Sequence, residues 1–218
     1  MPPPAPASTE YSPEDLVTLF VGADERKMMT HAHSITKDSP FFKNALKKAW
    51  EGYQTRNVKL PDEQPEVVAR YLDFTYGRGL ASSKIVSITS AGWEVDPYPA
   101  LIKLYLLGEH ASNARLRNAI ISEIIRLGSL LDEKGYSWIP DTKDITTIFY
   151  GTPATYPLRR LMVDIQVSWG GEMSRDDEKV AHPTFLFELV RDFSNKAAHH
   201  VKYSRYRSAK LPAENYLV

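Results

Sequence analysis

HAHSITKDSPFFKNALKKAWEGYQTRNVKLPDEQPEVVARYLDFTYGRGL, residues 31–80, is the stretch that decides the fold of this chain. Ser39 and Pro40 predict a helix start, because serine is a favoured N-cap and proline at the first helical position loses no hydrogen bond. The apolar residues of this helix recur on one face, at Phe41, Phe42, Ala45, Leu46 and Ala49. The segment therefore predicts an amphipathic helix with lysines on its solvent side.

A strand and a second helix follow within the same residues. Residues 57–60 predict a short strand that Pro61 ends. Asp62 is a cap candidate for the next helix, and Gly77 and Gly79 end that helix. Its buried side is predicted to carry Val67, Val68, Tyr71, Leu72 and Phe74.

The order of elements resembles that of a known family. Residues 15–21 and 26–30 predict two strands joined by a turn, ahead of the helix–strand–helix segment. The whole resembles the BTB/POZ interaction domain, in the form abundant in filamentous fungi. The matching pieces are the Asp-led strand Asp15–Val21, His31 eight residues before Ser39-Pro40-Phe41-Phe42, Trp50-Glu51, Leu60-Pro61-Asp62, and Tyr71 five residues before Tyr76-Gly77.

The resemblance covers residues 14–131 and implies an α+β fold, in which a helical cluster flanks a small sheet. Apolar helices predicted over 101–107 and 116–131 take the place of the family's closing helical hairpin. Residues 84–89 have the β-branched character of a strand. His31 matches the family's histidine before the first helix, and the resemblance implies that its role is structural.

The rest of the chain divides into two tails and an extension. Residues 1–13 are rich in proline, which predicts a disordered tail. Residues 132–195 predict a helical C-terminal extension similar to that of fungal BTB proteins, with one short helix ended by Gly151 and another begun by Pro157. Residues 196–218 are expected to form a basic, flexible tail.

Composition sets limits on the class of protein. Of 218 residues, 27 are lysine or arginine and 27 are aspartate or glutamate, so the net charge is zero and gives no general attraction to nucleic acid or to an anionic membrane. The absence of cysteine excludes disulfides, thiolate catalysis and cysteine-based metal sites. The chain has no signal-peptide pattern and no apolar run long enough for a bilayer. We expect a soluble intracellular protein, in cytoplasm or nucleus.

Motifs that carry catalytic chemistry are missing from the sequence. It has no Gly-x-Ser-x-Gly, no phosphate-binding Gly-x-x-x-x-Gly-Lys and no Gly-x-Gly-x-x-Gly. His31 and His33 have no carboxylate at ligand spacing, so we predict no metal site, no cofactor and no catalytic residues. Residues 199–210, HHVKYSRYRSAK, interleave basic residues with tyrosines, which fits either weak nucleic-acid binding or a solvated tail.

The predicted partner-binding residues lie on and just after the first long helix. We expect an exposed face at Phe42, Leu46, Trp50 and Glu51 to dock a partner helix by burying an apolar anchor. BTB domains that recruit cullin-type ubiquitin ligase scaffolds often carry a hydrophobic-x-Glu element after this helix. Ala49-Trp50-Glu51 is the nearest match here. In the alternative interpretation, Trp50 packs beneath the helix end.

The resemblance implies a protein–protein interaction module without catalysis, acting as an adaptor that recruits a partner to a cullin-type ubiquitin ligase. The alternative is a non-catalytic scaffold or nuclear regulator that acts through self-association or through a nucleic-acid-binding tail. An enzyme with a site assembled from scattered residues is the third class. The prolines of residues 1–13 would break the N-terminal helix that many BTB homodimers use, which argues against an obligate swapped homodimer.

Overall fold

The computed structural model of the chain describes residues 15–47, 55–80, 88–89, 92–93, 96–131, 137, 139–169, 175–198 and 211–218. These residues form a mixed α/β structure, with a small sheet near the start and helices through the rest. The α+β class predicted from the sequence is confirmed. The predicted tail over residues 1–13 lies outside the described residues.

The sheet has three strands, β1 (Leu16–Val21), β2 (Arg26–His31) and β3 (Asn57–Leu60). Their order is β2-β1-β3, with β1 antiparallel to β2 and parallel to β3. Burial alternates along β1 and β3, so one face of the sheet meets the core. That face carries the buried side chains of Val17, Leu19, Val21, Val58 and Leu60.

Two helices lie between β2 and β3 in the described part of the chain, and a third follows β3. A short α1 (Ala32–Thr36), which was not predicted, and α2 (Pro40–Ala45) join β2 to β3. Ser39 caps α2 as predicted, since its Oγ accepts a hydrogen bond from the Phe42 backbone N–H at 3.2 Å. The next helix is α3 (Pro65–Thr75).

The predicted start of α3 is wrong by two residues, although its end is correct. The residue at the N-cap is Gln64, in an extended conformation, because Pro65 occupies the first helical position and restricts the residue before it. Asp62 therefore lies in the turn ahead of the helix. After the helix, Gly77 and Gly79 have positive φ of 80° and 72°, conformations that favour glycine.

A helical hairpin follows, formed by α4 (Tyr98–His110) and α5 (Ala114–Gly128). Both helices were predicted from their apolar residues, and α4 packs between α3 and α5. Ahead of the hairpin, β4 (Ile88–Thr89) pairs with β5 (Gly92–Trp93). Of the strand predicted over 84–89, only these last two residues lie within the described part.

The extension consists of α6 (Thr142–Gly151), α7 (Pro157–Trp169), α8 (Arg175–Val180) and α9 (Pro183–Ala198). Helix α6 packs on α4, α7 packs on α5 and α6, and α9 packs on α7. The starts and ends predicted from Gly151 and Pro157 agree with the structure. One hydrophobic core thus continues from the sheet into the extension.

The last eight described residues, 211–218, belong to the stretch 196–218 that is expected to form a basic, flexible tail. They contain a 3-10 turn (Ala213–Asn215) that packs on α5. The side chain of Tyr216, only 4% exposed, belongs to the hydrophobic core. An aromatic ring buried at this depth holds the segment in place, because its transfer from water contributes about 2 kcal/mol.

Candidate interaction surface

The structure corrects the predicted docking face at two of its four residues. The side chains of Phe42 and Leu46 are 1% and 9% exposed, so neither is available to a partner. Phe42 lies on the core side of α2, where its ring centroid is 5.8 Å from that of Tyr71. Trp50 and Glu51 lie outside the described residues.

The surface that α2 does expose is mainly charged, with one aromatic ring. Lys43, Asn44 and Lys47 are exposed, whereas Phe41 is half-buried. The Phe41 ring packs edge-on against His110 of α4, with ring centroids 4.7 Å apart. We call Phe41, Lys43, Lys47 and His110, with the Glu63 that pairs with His110, the α2 surface.

Beyond Phe41, the α2 surface contains a hydrogen-bond contact between His110 and Glu63. His110 Nδ1 lies 3.1 Å from Glu63 Oε1, which joins the end of α4 to the turn before α3. Nearby, Lys103 Nζ donates to Gln64 Oε1 at 3.2 Å.

A buried polar network fixes α2 against the helical hairpin. Ser39 Oγ donates to the carbonyl of Ala111 at 2.5 Å, in the turn between α4 and α5. Asn113 caps α5 by accepting from Leu116 N at 3.0 Å, and its Nδ2 donates to Tyr71 Oη at 3.3 Å. Burial raises the pKa of Tyr71, so its hydroxyl stays neutral. These bonds present the α2 surface in one fixed shape.

Two histidines singled out in the sequence lie on different elements. His31 ends β2, and its backbone N–H and Nδ1 lie 3.1 Å and 2.8 Å from Tyr76 Oη. The same hydroxyl is 3.1 Å from Thr30 Oγ1, so it ties the end of β2 to the end of α3. His33 belongs to α1, and its backbone N–H donates to Asp15 Oδ2 at 3.2 Å. Among the described residues, no group of three or more potential ligands could hold a metal ion.

A buried carboxyl group at the start of α6, that of Asp144, was missed by sequence reasoning. Asp144 is buried in the first turn of α6, where its backbone N–H donates to the capping Asp141 Oδ1 at 2.8 Å. Its Oδ2 has no hydrogen-bond partner among the described residues. Burial, and then the charges of Asp141 and Asp96, raise the pKa of Asp144 to about 7. Burial also raises the pKa of Asp96.

A second missed feature is the groove that holds residues 211–218, which we call the tail groove. On one side, the Tyr216 hydroxyl donates to Asp164 Oδ2 of α7 at 2.9 Å. On the other side, Asn118 Nδ2 on α5 donates to the main-chain oxygen of Val218, and the Val218 N–H donates to Asn118 Oδ1, each at 2.8 Å. Neither contact has a local sequence signal, because each joins residues far apart in the chain.

Comparison with models of known protein families and with curated proteins finds no match. Among the helices that the structure describes, none is long and apolar enough to cross a membrane.

Proposed function

We propose that this chain is a BTB/POZ-type protein–protein interaction module without catalytic activity, and that it acts as an adaptor for a cullin-type ubiquitin ligase scaffold. The observation that carries this proposal is the order of elements. The β1–β2 hairpin, α2, β3, α3 and the α4–α5 hairpin stand in the order that the resemblance implies, with the short α1 as an additional helix between β2 and α2. The parallel pairing of β1 with β3 brings these pieces into one sheet-and-helix unit.

Three of the buried polar side chains, those of Ser39, Asn113 and Arg159, have structural roles at helix ends. The side chains of Ser39 and Asn113 accept hydrogen bonds from backbone N–H groups in the first turns of α2 and α5. Arg159 donates to the carbonyls of Phe149 and Thr152 at the end of α6. Free backbone groups at helix ends need such partners, so these side chains serve the fold.

The proposed partner site is the α2 surface together with the residues that follow it. Because Phe42 and Leu46 are buried, the apolar anchor available on α2 itself is Phe41. Lys43 and Lys47 are exposed in the same segment of the chain and would favour a partner that carries acidic side chains. Trp50 and Glu51, which follow α2 in the chain, remain in the proposal as the element that a cullin-type scaffold would contact.

Calorimetry with the N-terminal domain of a cullin scaffold tests this proposal. We expect micromolar or tighter binding to the full chain, and loss of binding in the Trp50→Ala/Glu51→Ala double variant. The matched control is Tyr150→Ala/Glu188→Ala, which removes an aromatic and an acidic side chain from the extension. The control should bind like the unmodified chain, and no binding by the unmodified chain would rule out the cullin adaptor.

A second candidate function rests on the basic and aromatic residues of segment 199–210. In this case the chain is a non-catalytic scaffold or nuclear regulator that self-associates or binds nucleic acid through this segment. A mass that rises with protein concentration would support self-association. Retention on DNA that falls steeply with added salt would support the nucleic-acid-binding tail.

A further inference from the structure

We propose that helix α9 carries a dimerisation surface, through which two copies of this chain associate as an antiparallel helix pair. The centre of this surface is Phe187 and Val190, and one of its edges carries Glu188 and Arg191. We call these four residues the α9 face. It includes neither the α2 surface nor segment 199–210, so the proposal depends on neither candidate function given above.

The first argument is the distribution of apolar residues around α9. This helix packs on α7 and α6, and the side chains of Phe185 and Leu189 on its buried side are 0% and 5% exposed. At about 3.6 residues per turn, the apolar residues continue from there to Phe187 and Val190, over more than half of the circumference. A helix with one buried side normally carries polar residues opposite to it. Helix α9 therefore has a second apolar side, which no described element of the chain covers.

The exposed apolar side chains of the α9 face form one patch. Phe187 and Val190 are 68% and 63% exposed. Residues three apart on a helix are neighbours, so these two side chains are contiguous rather than scattered. Contiguous apolar patches mark interaction surfaces, because covering them removes apolar area from water. The α9 face thus has the character of an interface.

The second argument is the charge pattern, which identifies the partner as a second copy. Glu188 and Arg191 also lie three residues apart, and therefore on the same edge of the α9 face. A two-fold axis uses the same patch on both copies, and in an antiparallel helix pair like edges meet. Glu188 of each copy then faces Arg191 of the other, while Phe187 packs against Val190 across the axis. The face is self-complementary in both shape and charge.

Arg191 has hydrogen-bond donors available for this contact. Its Nε lies 3.7 Å from Asp192 Oδ1, which is longer than an ordinary hydrogen bond. Asp192 is already paired with Nη2 of Arg160 on α7, at 2.7 Å. The Arg191 guanidinium can therefore turn to a carboxylate of the second copy without leaving Asp192 unpaired.

The expected dimer is weak and reversible. One helix pair buries less surface than the roughly 1,200–2,000 Å² typical of stable complexes. We therefore expect a dissociation constant in the micromolar range, so that the chain changes between one and two copies as its concentration changes.

Sedimentation equilibrium of the full chain, from low-micromolar to near-millimolar concentration, tests the proposal. We expect the average mass to rise from that of one chain toward that of two. Val190→Glu should weaken the association at least tenfold, because it places a carboxylate in the apolar centre of the pair. The matched control is Met29→Glu, which adds the same charge at a side chain of β2 that is 65% exposed. The control should associate like the unmodified chain.

Charge reversal tests the antiparallel arrangement. Glu188→Arg alone and Arg191→Glu alone should each weaken self-association several-fold, because each variant brings like charges together twice across the axis. An equimolar mixture of the two variants should recover the association of the unmodified chain, since each arginine then faces a glutamate of the other variant. A mixture that does not recover would overturn the antiparallel pair.

Circular dichroism establishes that each variant keeps the fold of the unmodified chain. A mass that stays at one chain throughout the concentration range overturns the proposal. Association that a folded Val190→Glu variant retains also overturns it, because another part of the chain, such as segment 199–210, would then be responsible. No cullin is present in these measurements, so a chain that fails to bind a cullin scaffold can still form this dimer.

Discussion

Asp144 shows how burial changes the chemistry of a single residue in this fold. An unfolded aspartate titrates near pH 3.9, whereas burial beside Asp141 and Asp96 raises the pKa of Asp144 to about 7. Between about pH 4 and pH 7 the folded chain therefore holds a proton that the unfolded chain has lost. The stabilising contribution of this site is complete below that window and is lost as the pH rises through it.

The Asp144→Asn variant should remove this pH dependence, because the amide is neutral throughout. We expect the variant to gain stability relative to the unmodified chain as the pH rises from 5 to 8. Urea unfolding at both pH values measures the difference. Asp62→Asn, a change of an exposed aspartate, is the control and should leave the pH dependence intact. Equal differences at pH 5 and pH 8 for Asp144→Asn would contradict the prediction.

At the residue scale, the sequence predicts the structural role of a residue when its hydrogen-bond or packing partners lie close to it along the chain. Ser39 as a cap and Pro157 as a helix start are local features and were predicted. Asp144 was missed, because the raised pKa depends on burial and on Asp96 from another part of the chain. The spacing of Phe42 with the other apolar residues of α2 predicts a buried face, and the structure confirms that Phe42 is buried. The prediction of an exposed docking face at Phe42, which came from the family resemblance, is therefore wrong.

At the scale of secondary-structure elements, the close contact between α5 and α7 depends on Gly128. Gly128 ends α5 against the Trp169 ring at the end of α7. A Cβ at position 128 would lie 2.7 Å and 2.9 Å from Trp169 ring atoms. This is closer than carbon atoms approach each other, so one helix or the ring would have to move.

Gly128→Ala tests this packing, because the expected loss of stability is opposite to the gain that helix propensity alone would give. Alanine normally stabilises a helix by about 1 kcal/mol relative to glycine. Here we expect a loss of about 1–3 kcal/mol from overpacking, measured by urea unfolding. Ser122→Ala, on the exposed side of α5, should change stability by less than about 0.5 kcal/mol. A Gly128→Ala variant more stable than the unmodified chain would refute the close contact.

The positions of the helices in the extension could be predicted from the sequence, but the way in which these helices pack together could not. Periodic apolar residues located α6, α7 and α9, since each buries one face. Which faces meet is decided by shape, as at Gly128, and by long-range pairs such as Asn118 with Val218. The tail groove could not be predicted for this reason.

At the scale of the whole molecule, the domain and the extension share one hydrophobic core. Its cluster of buried residues includes Leu19 of the sheet, Leu104 of the hairpin and Leu161 of the extension. Elements that share a continuous core unfold together, because losing one exposes the apolar face of the next. The boundary predicted at residues 131 and 132 therefore separates stretches of sequence that pack as one unit.

We expect a single unfolding transition for the full chain. Far-ultraviolet circular dichroism, which follows helices, and near-ultraviolet circular dichroism, which follows packed aromatic rings, should give the same midpoint in urea. Gly128→Ala should shift both midpoints together. Loss of part of the helical signal before the aromatic signal would mean that the extension unfolds on its own.

The sheet order has a consequence for the nascent chain. Leu19 pairs with Met28 on one side and with Val58 on the other, so β1 is the central strand. During synthesis the β1–β2 hairpin is complete at His31, whereas β3 ends only at Leu60. At 5–20 residues per second, these roughly thirty residues take about 1.5–6 s. During this interval the backbone N–H and C=O groups on the second edge of β1 have no partner strand. The translation rate therefore sets how long the ribosome-bound hairpin is exposed to pairing with a wrong strand.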